Sequence, residues 1–312
     1  MSGAQATFLT GSLTRHIITM SLTSAVGFLA LFVVDLVDML FISMLGVDEL
    51  AAAVGFAGTL LFLTTSISIG MGIAGGALVA QALGADQAER ARELLTHVLV
   101  VGVVFAIGFA ALIYANLGGL TALIGATGET QRLAVSYLQI LIPTMPILLI
   151  GIVGSAALRG HGAAKLSMIV TLVAGVVNAV LDPIFIFALD MGLDGAAWAS
   201  VLSRFAVAGT ALWFIVTRYG GLAALSARAV ARDLRIIAAI AVPAMLANIA
   251  APIGSAYVTA AAAQFGENAV AGMAVIGRLT PIAFALIFAM SDVLAFRRDR
   301  TDHRPEFRRR AP

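Results

Sequence analysis

Carboxylates set inside long apolar runs are the residues of this sequence best placed to do chemistry. Asp35 and Asp38 stand three apart in FVVDLVDMLFISML, and Asp182 follows Asn178 by four in NAVLDPIFIF. A charge at the centre of a bilayer costs about 2.5–3.5 kcal/mol on insertion scales, so each such residue needs a reason to be there. On a helix, spacings of three and four put side chains on one face. Two ionised carboxylates that close repel, which favours one of them holding a proton. A carboxylate that exchanges a proton or binds a cation is what a coupled transporter needs. Asp38 lies about two helical turns, roughly 10 Å, from the glycine turn that follows it, so it is inside the apolar run but not central. A plainer role is open for each: wetting near a helix end for Asp38, and a hydrogen bond to a neighbouring helix for Asp35.

Asn178 and Asp182 carry the stronger local signal, because Pro183 follows directly. Proline has no N–H to donate and clashes with the carbonyl of residue 179, which frees backbone oxygens nearby. An aspartate, an asparagine and freed carbonyls suit a proton or a hard cation. The alternative is that Asp182 only satisfies the proline-disturbed backbone. Arg204 and Arg278 also fall inside apolar runs. Arg204 is expected to be paired or to snorkel, and Arg278 to want an acidic partner. His97 and His161 lie near the ends of their runs and read as interfacial. GMGIAGG at 70–76 has no basic residue behind it to hold a phosphate, so close helix packing explains it better. The chain has no cysteine, which excludes disulfides, zinc–thiolate sites and thiol nucleophiles. No cofactor is implied.

The elements that must position these residues follow from composition. The chain of 312 residues is 61% hydrophobic and 12% charged, against about 45–50% apolar and about 25% charged in soluble domains. So little polar surface cannot cover a fold in water, and the lipid bilayer is the expected partner. A helix crosses hydrocarbon in about 20 residues, and eight stretches qualify: 17–44, 51–82, 95–115, 134–157, 166–188, 195–216, 236–262 and 269–293. If they alternate, Arg15, Arg90, Arg92, Arg159, Lys165, Arg218, Arg228, Arg232, Arg235 and the C-terminal arginines all fall on one side. The opposite loops carry Asp48, Glu49, Glu129, Asp190, Asp194 and Glu267, with Arg132 as their only base. The positive-inside rule then places both termini of a multi-pass protein in the cytoplasm. It also accounts for the basic residues without a nucleic-acid partner.

An internal repeat is suggested by Leu45-Gly46 followed by LAAAVG at 50–55, and Phe265-Gly266 followed by VAGMAV at 270–275. Repeated transporter halves are built in this way, with a cargo path between them. The expected fold class is therefore an all-α polytopic membrane protein with about eight transmembrane helices. One complete six-helix lobe covers 15–220, after a short N-terminal segment 1–14. The first two helices of an incomplete second lobe cover 221–293, and a disordered basic tail covers 294–312. The arginine-rich change of character after Ser291 reads as a truncation or frameshift in preference to a natural tail.

These residues together resemble a known family. DLVDMLFISMLGVDELAAAVGFA at 35–57, ALVAQALGADQAERARELL at 77–95, LRGHG at 158–162, NAVLDPIFIF at 178–187 and GLDGAAWASVLSR at 192–204 are similar, in order, to motifs of the multidrug and toxic compound extrusion (MATE) family, nearest in kind to its prokaryotic DNA-damage-inducible-type branch. The resemblance implies twelve helices in two lobes, and export of drugs or organic cations in exchange for protons or sodium ions. It implies a bacterial inner-membrane location, and that Asp38, Asn178 and Asp182 form the coupling site and are the candidate sodium ligands, with Tyr137 in SYLQIL and Ser200 in WASVLS as polar partners. Ser200 stands where relatives often carry threonine. The helix around 243–260 has no acidic residue, which argues against the branch with a coupling carboxylate there. The alternatives are a non-transporting vestigial fragment or partner-dependent subunit, and a lipid-linked oligosaccharide flippase. The flippase would want a cationic cavity, whereas the one read here is acidic.

Overall fold

Long unbroken runs of apolar helix formers leave the backbone no way to satisfy itself in lipid except by helices. The computed structural model describes residues 36–42 and 44–283, and among these residues nine α-helices and no strand are found. A helical segment at 36–42 precedes α1 (Asp48–Gly84), α2 (Ala88–Ala115), α3 (Leu117–Leu123), α4 (Gly128–Leu141), α5 (Met145–Gly160), α6 (Ala164–Pro183), α7 (Gly192–Tyr219), α8 (Ala227–Ala263) and α9 (Glu267–Ala283). A 3₁₀ turn (Ile142–Thr144) joins α4 to α5, and a π turn (Ile184–Ala188) continues α6. Taken with those continuations, six helical stretches are long and apolar enough to cross a membrane. The expected first span lies largely outside the described residues, and the eighth only partly within them.

The turns between helices fall where sequence chemistry breaks the helix. Gly46, Gly125, Gly162, Gly220 and Gly266 all take left-handed backbone, which costs glycine little and other residues more. Both glycine turns of the suggested repeat share this conformation. The stretches that follow them also meet, since a side chain at Gly55 would stand 3.2 and 3.3 Å from those of Val270 and Ala274.

The longest helices, α1 and α8, are 37 residues each, or about 55 Å at 1.5 Å per residue. That exceeds the hydrocarbon thickness of about 30 Å, so each must tilt or project from it. They run antiparallel along each other and form the most extensive helix pair of the structure. Thr59 and Thr259 hydroxyls meet at 3.2 Å toward one end. Further along, a side chain at Gly70 would stand 2.7 Å from the backbone of Met245. The other glycines of the GMGIAGG stretch do the same for α5 and α2: Gly72 faces Ile152, and Gly75 faces Val153 and Val98. Close packing is therefore what this glycine-rich stretch does. α1 consequently touches α2, α4, α5, α8 and α9 and is the hub of the fold.

Loops alternate between two ends. A side chain at Gly125 would stand 2.7 Å from that of Ala263, which puts the α3–α4 turn beside the end of α8. At the other end, His161 packs on Tyr219 with ring centroids 4.1 Å apart, and Arg92 reaches the carbonyls of Gly221 and Leu222. Large apolar side chains such as Val104, Ile107, Val176, Phe205, Trp213 and Leu246 are exposed on the outer faces of α2, α6, α7 and α8. Surface of that kind belongs against lipid.

The glycine seam gives a direct test. Gly70→Val should destabilise the fold by about 1–3 kcal/mol through overpacking against an immovable backbone. Gly108→Ala, where nothing lies within 4 Å, should be neutral. Thermal unfolding of both variants in detergent, followed by tryptophan fluorescence, checks the contrast.

Candidate functional site

Two helix breaks build the site. In α6, Pro183 ends the regular hydrogen bonding, and the chain passes into the π turn Ile184–Ala188. Such turns inside helices are frequent at functional sites. The turn is held from outside: Gly195 of α7 comes so close that a side chain there would stand 2.7 Å from the Phe185 carbonyl. The Met191 N–H bonds to that same carbonyl at 3.1 Å, and Leu189 N–H to that of Ile184 at 2.9 Å. The proline thus does more than bend the helix, because it admits a wider turn that the next helix clamps.

Just before the break, Asp182 is fully buried, and Asn178 Nδ2 donates to its Oδ1 at 3.3 Å. The four-residue spacing read from the sequence therefore becomes a real contact. Ser203 Oγ donates to the Ala174 carbonyl at 2.9 Å and pins this face of α6 to α7. Asp38 is buried on the helical segment 36–42. That segment meets the π turn through Phe41 and Phe187, whose rings sit edge to face with centroids 6.0 Å apart. The structure thus sets the segment bearing Asp38 against the turn that follows Asp182. Asp35 lies outside the described residues.

The second break lies between α4 and α5. Pro143 and Pro146 flank it, and Met145 N–H turns to the Ile142 carbonyl. A continuous helix would have given that N–H to Leu141. The Leu141 carbonyl instead accepts from Arg204 Nη1 at 2.7 Å and from Thr144 Oγ1 at 2.8 Å. Arg204 Nη1 also bonds Thr144 Oγ1 at 2.7 Å. Tyr137, buried on α4 one turn before Leu141, is within electrostatic reach of Arg204. Ser200 is half-buried one turn before Arg204 on α7. Tyr137 and Ser200 thus sit on the two helices that Arg204 joins. Arg204 is paired as the sequence led one to expect, but with a broken backbone and not with an acid.

Sequence reasoning placed His97 at an interface with water, and the structure corrects this. His97 is 1% exposed, and its Nδ1 lies 2.7 Å from Asp233 Oδ2. Asp233 itself went unremarked, because the acids weighed were those inside the apolar runs and those of the opposite loops. Its signal was available only in three dimensions, since its main partner, Arg90, is 143 residues away in the chain. Arg278 has no described side chain. Among the described residues, no cluster of His, Cys, Asp and Glu is arranged to hold a metal ion.

The Arg204 bridge predicts that Arg204→Leu leaves the Leu141 carbonyl without its charged donor. The loss should be about 1.5–3 kcal/mol, the usual range for a hydrogen bond to a charged group. Arg204→Lys, which keeps the charge but not the fork, should fall between. Unfolding midpoints of the purified variants measure it.

Comparison with known proteins agrees with this architecture. A MatE family model matches residues 23–184, more than half of the chain. A FAD transporter of Shewanella oneidensis is 26% identical over 292 residues, covering 92% of this chain and 64% of its own. The multidrug export protein MepA of Staphylococcus aureus is 25% identical over 196 residues, covering 63% and 43%. The chain thus spans less than two thirds of the length of these relatives. Among solved structures, a mutant of the Vibrio cholerae MATE transporter VcmN superposes with a TM-score of 0.83 at 28% identity, over 94% of this chain and 67% of that one. A MOP superfamily transporter from Pyrococcus furiosus shares the fold, with a TM-score of 0.83 at 24% identity over 97% and 68%.

Proposed function

The chain belongs to the MatE family, and from that premise we propose a secondary antiporter that exports drugs or organic cations in exchange for protons or sodium ions. Multidrug export by a relative supports the cargo class. The observation that carries the reading is the fully buried Asp182 bonded to Asn178 at a proline break, with the Asp38 segment packed on the turn that follows. A buried carboxylate changes its interactions most when it gains or loses a proton or a cation. Here that change acts next to a helix already broken and clamped by its neighbour. Asp38, Asn178 and Asp182 are the coupling residues in this reading, and Tyr137 and Ser200 their polar partners.

Binding of the coupling ion favours one packing of segment 36–42 against the π turn, and its release favours the other. Cargo affinity then differs between the two packings, as coupling requires. The two bodies that move are the six-helix lobe 15–220 and the lobe that begins with α8 and α9. The arginine-bearing loops face the cytoplasm of a bacterial inner membrane, which puts the Gly46, Gly125 and Gly266 turns outside.

A second cargo is favoured by the FAD transporter, whose alignment covers nearly all of this chain. A flavin nucleotide would be carried by the same site and ion cycle.

Everted membrane vesicles separate these readings. Asp182→Asn and Asp38→Asn should each lower the initial rate of ethidium transport at least tenfold, with membrane insertion unchanged. Asp194→Asn, at an exposed position, should keep it. Transport driven by an imposed pH gradient or by an imposed sodium gradient identifies the ion. FAD uptake in place of ethidium would assign the second cargo. Full-rate transport by Asp182→Asn would remove the coupling role.

A further inference from the structure

A second polar cluster lies far from the coupling site, at the end of the bundle that carries Arg159, Lys165 and Arg218. Asp233, in the second turn of α8, is 2% exposed. Arg90 of α2 grips it with both guanidinium nitrogens at 2.7 Å. Arg232 Nε donates to it at 3.1 Å, and His97 Nδ1 lies at 2.7 Å. Arg90 also bonds Glu93 at 3.0 Å. The linker from α7 to α8 is fastened to the same stretch of α2. Thr96 Oγ1 accepts from the Ala223 N–H at 2.9 Å, and Arg92 reaches the carbonyls of Gly221 and Leu222, both at 3.4 Å. Four residues of one helix end, Arg90, Arg92, Thr96 and His97, therefore hold the start of α8 and the strap that leads into it.

We propose that Arg90, His97 and Asp233 form a latch that closes the arginine-rich mouth between the two lobes, and that it parts once in each transport cycle. The proposal rests on the transporter reading and on its orientation, which makes this mouth cytoplasmic. Chemistry favours a latch over plain structural glue. A buried ion pair contributes less lasting stability than apolar packing of the same volume. Once the surfaces separate, however, water can hydrate the carboxylate, the guanidinium and the imidazole, whereas parted apolar faces stay costly. Elsewhere α8 meets α1 by apolar packing, by backbone approach as at Gly70 and Met245, and by the neutral Thr59–Thr259 pair. Among the described residues, the ion pairs of α8 sit at the mouth. An interface with two defined arrangements, one paired and one hydrated, is what gating by rigid bodies uses.

The absence of cysteine from the sequence makes the test direct. Ile237 lies one turn beyond Asp233 and is 1% exposed. An Ile237→Cys reporter in everted membrane vesicles should react slowly with a membrane-impermeant maleimide. Adding Asp233→Asn or Arg90→Gln should raise its labelling rate at least tenfold, and Arg90→Lys should raise it less. Rates within twofold of the reporter alone in both neutral variants would overturn the latch. Leu149→Cys, at a fully buried position inside the first lobe, guards against loss of fold and should stay unlabelled. If it reacts in the neutral variants, the Arg90→Lys arm decides. There, faster Ile237→Cys labelling with Leu149→Cys silent supports the latch, and an unchanged rate overturns it. Ethidium transport by the reporter chain in the same vesicles tests the transporter reading separately. Its absence counts against transport, while labelling alone judges the latch.

Discussion

A backbone carbonyl freed inside a bilayer has no water to accept from, and every irregularity in this fold is arranged around that constraint. Pro143 and Pro183 each interrupt a membrane helix, and each break is answered by atoms from α7. At the first, the Arg204 guanidinium and Thr144 hydroxyl converge on the Leu141 carbonyl. At the second, the backbone widens into a π turn, and Gly195 lets α7 press directly on it. α7 is therefore the splint for both broken helices, and Gly195, Ser203 and Arg204 are its points of contact. Asp182 sits where such a splint is most useful, beside a helix that can be broken without exposing unpaired groups to lipid.

The same constraint explains why the hub helix is rich in glycine. In lipid, apolar side chains gain little from meeting each other, so helices associate by close approach and by shared polar contacts. α1 uses both. Gly70, Gly72 and Gly75 bring α8, α5 and α2 to within van der Waals distance, and Thr59 meets Thr259 across the α1–α8 seam. Between α5 and α7, Gly151 and Gly154 repeat the device against Val207 and Ala211. Side chains too large to be hidden in this way are turned outward, where the lipid accepts them.

The membrane class, the all-helical fold and the Asn178–Asp182 pair were legible in the chain, because apolar length, four-residue spacing and proline act locally. The packing role of GMGIAGG was legible for the same reason: glycine in an apolar helix has few other uses. What stayed hidden depended on contacts distant in sequence. Nothing near Arg204 announced a carbonyl partner 63 residues away. His97 looked interfacial because its position in the helix is near an end, yet α8 covers it. The π turn was read only as freed backbone oxygens, since proline marks the break but the neighbouring glycine decides its shape. The expected span 134–157 is likewise one hydrophobic run that folds as two helices with a 3₁₀ turn between them.

Two charged clusters at different depths then have different chemical duties. Asp182 is fully buried among apolar helices, so a bound proton or cation there changes the local electrostatics strongly while the surrounding surface stays dry. Asp233 is as well covered, but it meets two arginines and a histidine at the edge of the bundle, where water is close by. The deep site is suited to sensing a proton or cation, and the shallow one to holding and releasing a seam. α1 lies against α2, α4 and α5 as well as α8, so a shift in how it packs at one level is felt at the other. The hub, being rigid and tightly packed by glycine, would carry that shift as a body and not absorb it.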